Sequence, residues 1–172
     1  SDTKIVLSLT GAGSSALNSL LAIAGASKTI LEGLVPYSEA ALHDMTGTQE
    51  EGAVSEKTVL ALAKWSYFRA ADLRDNYSKV LGISCTAAIS TDRERKGANQ
   101  AYVSVWGANG STKAHLQMKK GLRTRQQEET LVSELIIYEI ANAIFPDFTT
   151  TINISSEDSL ERNKTVFTTP FD

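Results

Sequence analysis

The stretch from residue 4 to residue 42 limits what this chain can fold into more than any other. Lys4–Thr10 is an apolar, β-branched run of strand length, broken by Gly11-Ala12-Gly13. From Ser14 to Ala24 the apolar residues Leu17, Leu20, Leu21 and Ala24 recur at helical spacing. Gly25-Ala26-Ser27 turns the chain, and Thr29–Val35 is strand-like again. A strand–helix–strand unit of this size is the βαβ module, with a parallel strand pair and a right-handed crossover. It leaves free backbone N–H groups at a helix N-terminus on one edge of the sheet, which is a natural anion site.

The remaining chain extends this unit. Ser38 suits the N-cap of a short helix over Glu39–Met45, closed by Gly47, and Thr48–Gly52 reads as a loop. Ser55 caps a long helix that ends near Asn76, with Val59, Leu62, Ala63, Ser66, Ala70 and Leu73 on one stripe. Val80–Ile89 is a continuous run of small and apolar residues, as in a central strand, and the polar loop Ser90–Gly97 follows it. Ala101–Trp106 and Thr112–Met118 form a hairpin around Asn109-Gly110. Thr124 and Gln127 make a capping box for a helix that runs to about Phe145, where Pro146 stops it. The element order is β-α-β-α-α-β-β-β-α, a three-layer α/β/α domain with a mixed sheet over residues 1–146. Residues 147–172 read as a polar tail or linker, or as an arm docked through Phe167 and Phe171.

Composition narrows the function classes. A length of 172 residues suits one domain, and 17 basic against 20 acidic side chains argues against nucleic-acid binding by bulk charge. The single cysteine, Cys85, excludes an internal disulfide and fits a reducing, cytoplasmic setting. His43 and His115 are too isolated for a histidine-based metal site, so no metal or cofactor is expected. No apolar run approaches the ~20 residues of a membrane helix, and no signal-peptide pattern is visible.

Three groups of residues are candidates for chemistry. Thr10-Gly11-Ala12-Gly13-Ser14 is a hydroxyl-rich glycine turn able to cradle a phosphate or carboxamide, or simply a tight turn and N-cap. Ser27, with Lys28 beside it, and Tyr37 resemble a nucleophile with an assisting base. One extended strand would hold Ser27 and Tyr37 roughly 30 Å apart, so they meet only through a sharp bend or a second copy. The third group is basic: Arg93, Arg95 and Lys96 after one strand, and Lys119, Lys120, Arg123 and Arg125 after another. These two turns suit a small anion, although Asp92, Glu128 and Glu129 neutralise part of them.

AGASKTILEGLVPYSEA (24–40), GAVSE (52–56) and the strand ending CTAAI (85–89) resemble the CinA C-terminal domain, the nicotinamide-mononucleotide deamidase family. The resemblance covers about residues 4–145. The family pattern is approximately A-E-S-C-T-G-G, P-G-S-S, V-x-Y-S-N-x-x-K, G-A-V-S-E and T-G-I-A-G-P-x-G-G, in this order. It implies a compact three-layer α/β domain, often dimeric, that hydrolyses a nucleotide carboxamide without metal. Ser27 then holds the nucleophile position and Tyr37 that of the assisting tyrosine, with backbone N–H groups near the first turn stabilising the oxyanion. The family lysine falls at Leu42, the first turn has become Thr10-Gly11-Ala12-Gly13-Ser14, and the glycine-rich loop has become Thr86–Asp92 followed by basic residues. TDRERKG (91–97) and the run from Lys120 to Glu129 resemble a divergent branch of the family, some of it joined to a nucleotidyltransferase-like domain.

Two functions follow. One is amide hydrolysis of a pyridine nucleotide by Ser27 and Tyr37. The other is a catalytically silent nucleotide-binding or dimerisation module of the same fold, which the loss of the lysine favours. In both, the ligand-binding set is Thr10, Gly11, Gly13, Ser14, Lys28, Thr86, Arg93, Arg95, Lys96 and Arg123, the ligand is of mononucleotide type, and a homodimer is expected.

Overall fold

The chain folds around a six-stranded mixed sheet with helices on both faces. The computed structural model describes residues 1–47, 50–75 and 79–168. Thr48, the expected helix end at Asn76, and Phe171 lie outside the described residues. The strands are β1 (Lys4–Thr10), β2 (Ile30–Leu34), β3 (Val80–Ala88), β4 (Asn99–Trp106), β5 (Gly110–Met118) and β6 (Ser159–Val166). Their order is β2-β1-β3-β4-β5-β6. β1 pairs in parallel with both β2 and β3, and every later pairing is antiparallel.

The alternation of side chains along β1 and β3 decides what covers each face. Ile5, Leu7, Leu9, Ile83 and Cys85 point to one side, where they pack with Ala16 of α1 (Ser14–Leu21) and with Leu135 and Ile136 of α4 (Arg125–Ile144). Val6 and Ser8 point to the other side, against α3 (Glu56–Leu73). There Ser8 and Ser66 share a buried hydrogen bond of 2.7 Å, and Ser84 donates to the Val59 carbonyl at 2.6 Å. Small residues on this face let the helix backbone lie close to the strands, which explains why β3 reads as small rather than bulky. The short α2 (Glu39–Thr46) packs on α3. Its N-cap Ser38 accepts from the Ala41 N–H, and the capping box of Thr124 and Gln127 opens α4 as the spacing indicates.

The expected α/β/α layering with a mixed sheet is therefore present, and the chain beyond residue 146 adds to it. Ser159–Val166, read from sequence as part of a polar tail, pairs with β5 along its whole length. Leu160, Ile152 and Ile154 pack on the main core, and Phe167 lies against Trp106 with ring centroids 4.9 Å apart. No helix among the described residues is long and apolar enough to cross a membrane.

The return of the chain to β6 is pinned by an ion pair. Asp158, whose side chain is inaccessible, accepts from Arg123 at 2.6 and 3.1 Å and from the N–H groups of Lys119 and Ser155. The Arg123 guanidinium, helped by those N–H groups, outweighs burial and holds the Asp158 carboxyl at about 2. A carboxyl with a depressed folded pKa contributes stability above its unfolded value, about pH 4, and loses it as the pH falls toward 2. Thermal melts between pH 5 and pH 2 are expected to show this loss in the wild type and a flatter profile in Asp158→Asn. Identical slopes in the two proteins would refute the assignment.

Candidate functional site

In an open sheet with parallel strands, the place where the strand order reverses leaves a crevice at the carboxyl ends of the strands. Here β1 is that place. The chain leaves β1 through α1 to reach β2 on one side, then returns through α3 to β3 on the other. The two crossover helices lie on opposite faces, and a gap opens beside Thr10, which pairs in register with the buried Thr86.

A cleft of about 580 Å³ opens at this point. Thr10, Gly11, Ala12 and Ser14 form one wall, Val35 and Tyr37 a second, and Arg125, Gln126 and Glu129 from the start of α4 a third. An adjoining hollow of about 320 Å³ shares Thr10 and Tyr37 and continues over Leu42, His43 and Thr58. Gly52 and Ala53, at the start of the Gly52–Glu56 segment, also line it. Thr58 Oγ1 donates to the Gly52 carbonyl at 2.5 Å, and Ser55 Oγ accepts from the Thr58 N–H at 3.2 Å. This is why that block is informative in the sequence: it builds the N-cap of α3 beneath the cleft. On the far side, Arg125 Nη1 donates to the Ser90 carbonyl at 2.7 Å, joining the cleft to a third hollow of about 480 Å³ lined by Arg93, Arg95, Asn99 and Lys120.

The anion site at the α1 N-terminus is already occupied by the chain itself. Glu129 Oε1 accepts from the Gly13 and Ser14 N–H groups at 2.6 and 3.1 Å, while Oε2 accepts from Ser133 Oγ at 2.6 Å. Burial opposes ionisation of Glu129, but the Ser133 hydroxyl and the Gly13 N–H outweigh it and hold the carboxyl below its usual range. The expected use of the first-turn N–H groups as an oxyanion or phosphate cradle therefore fails at Gly13 and Ser14. The cleft instead presents a fixed negative charge, with the Arg125 cation one helical turn away.

The sequence candidates divide by position. Thr10, Gly11, Ser14 and Tyr37 come together around the cleft, with Gly13 immediately behind it. Tyr37 is 69% exposed, so its ring is free to meet a ligand. Thr86 is fully buried beside Thr10, and its Oγ1 has no hydrogen-bond partner among the described residues. Ser27 and Lys28 do not join this group. They form an exposed 3-10 turn before β2, at the opposite end of that strand from Tyr37, which follows β2. The Lys28 carbonyl accepts from Lys4 Nζ, and the Lys28 N–H donates to the Gly25 carbonyl. Arg93 and Arg95 line the third hollow, and Lys96 is exposed on the same loop. Arg123 is consumed by Asp158. Sequence reasoning missed Glu129 and Gln126 as site residues. Glu129 lies more than a hundred residues from the turn it closes, and only the adjacent pair Glu128-Glu129 marked the place.

No family model matches the chain, and no curated protein is significantly similar to it in sequence. Solved structures do share its fold. A competence-damaged protein (CinA) superfamily protein from Escherichia coli is similar with a TM-score of 0.62 and 14% identity, over 81% of each chain. The competence/damage inducible protein CihA from Agrobacterium tumefaciens gives 0.60 and 23%, over 80% of this chain and 84% of its own. The competence damage-inducible protein A (ComA) from Klebsiella pneumoniae gives 0.58 and 16%, over 81% and 84%. At these identities the likeness is one of fold: the chain has the architecture of CinA-superfamily proteins.

Proposed function

We propose that this protein binds a mononucleotide-type ligand, a pyridine nucleotide above all, in the cleft over Thr10 and Tyr37, and that a single subunit does not hydrolyse its amide. The observation that carries the binding reading is the charge pattern of the cleft. An ionised Glu129 and a cationic Arg125 face the same cavity, with the exposed Tyr37 ring on the opposing wall. That pattern suits a ligand with a cationic aromatic ring at one end and a phosphate at the other. The ring would stack on Tyr37 within reach of Glu129, and the phosphate would lie toward Arg125, Arg93 and Lys120.

Three observations argue against serine chemistry within one subunit. Ser27 stands at the wrong end of β2, Leu42 occupies the lysine position, and the Gly13 and Ser14 N–H groups are already engaged. Hydrolysis would need Ser27 from a second copy docked along β2, whose outer edge carries no strand partner among the described residues.

Calorimetry with nicotinamide mononucleotide tests the binding, and an ammonia-release assay on the same protein tests the chemistry. The wild type is expected to bind without releasing ammonia. Tyr37→Ala is expected to weaken binding by about tenfold, the usual loss when a stacked base loses its platform. Ammonia release that disappears in Ser27→Ala would establish the hydrolase instead, with the serine supplied by a partner subunit. No saturable heat would remove the ligand assignment.

A further inference from the structure

We infer that the opposite end of the sheet, away from the cleft over Thr10, holds a second ligand site, for a small polyanion such as a phosphate ester. A cavity of about 990 Å³ lies where β3 begins, α3 and α4 end, and β6 closes the sheet. It falls in the size range of small-molecule pockets and is separate from the cleft over Thr10. Among the described residues lining it, the cations are Arg74, Lys79, Arg162 and Lys164, and the one carboxylate is Glu139. Glu139 is 2% exposed and fully answered: Arg162 donates to it from Nε at 2.8 Å and from Nη2 at 2.9 Å.

That pair is the built part of the site. The buried carboxylate fixes the guanidinium, which also lies over the Tyr138 ring at 5.1 Å, and Nη1 is left without a protein acceptor among the described residues. A guanidinium held this way meets a phosphate without first losing side-chain freedom. Lys164 follows Arg162 by two positions on β6 and so shares its face. Neither Lys164, Arg74 nor Lys79 has an acidic partner among the described residues, although the chain as a whole carries −3. Unpaired cations gathered around one concavity repel each other, and an incoming polyanion relieves that repulsion.

Inorganic pyrophosphate is the probe, titrated into the full chain by calorimetry at low and moderate salt. Saturable binding that weakens with added salt is expected. The double variant Arg74→Ala/Lys164→Ala should lose at least about tenfold in affinity, as removal of charge-assisted contacts does. Both side chains are exposed, so its melting temperature should stay near that of the wild type. Tyr37→Ala should bind pyrophosphate as the wild type does. Two results would overturn the site: no saturable heat, or binding that survives in the double variant and falls in Arg125→Ala.

Discussion

Gly11→Ala is expected to cost about 4 kcal/mol or more, a large fraction of what holds a domain of this size together. Two effects add. Gly11 has φ +86°, where a side chain costs about 1–2 kcal/mol. A Cβ there would also lie 1.8 Å from the Ala87 carbonyl oxygen, an overlap that neither backbone can absorb in place. The turn after β1 would have to lift off β3, and the cleft would widen between Gly11 and Ile89. Gly25→Ala is the control. Gly25 has a similar φ, +88°, but its Cβ would meet nothing within 4 Å, so only the conformational cost of about 1 kcal/mol remains. Urea denaturation of the two variants separates the terms. Equal losses would mean that the close approach to Ala87 is not what requires glycine at position 11.

The same glycine shows what the sequence could and could not convey. Gly11 was legible as a turn because it interrupts an apolar strand and precedes a helical period. The β1–α1–β2 unit, the capped helices and the hairpin all announced themselves by local pattern in this way. The α1 helix ends at Leu21 rather than at the expected Ala24, since the segment from Ala22 to Gly25 turns back at the surface instead of extending the apolar stripe. Which residues would face one another across the chain was not legible. Glu129 reaches Gly13, and Arg123 reaches Asp158, with no local period to mark either contact. The family resemblance named Ser27 and Tyr37 together, but β2 lies between them and holds them at its opposite ends, as strand length alone indicated. β6 was the least legible element. Within SLERNKTV only Leu160 and Val166 are apolar, so no alternation of period two appears. An edge strand held mainly by backbone pairing and by an exposed arginine on a buried carboxylate leaves almost no hydrophobic trace.

That ion pair makes β6 the place for the second large effect. Arg162→Ala is expected to destabilise the protein by about 3–4 kcal/mol at neutral pH, because it leaves Glu139 ionised and buried without a counter-charge. Replacing both partners, in Arg162→Leu/Glu139→Leu, should return the protein to within about 1 kcal/mol of the wild type, since neither buried charge nor unpaired donor remains. A double-mutant cycle by chemical denaturation measures the coupling directly. Hydrogen exchange locates it: in Arg162→Ala the amides of β6 and the facing edge of β5 should lose protection first, before the β1–β3 centre of the sheet. Uniform loss of protection across the sheet would mean that β6 is not a separable edge but part of the central cooperative unit. In that case the polar strand does far more for the fold than its composition suggests.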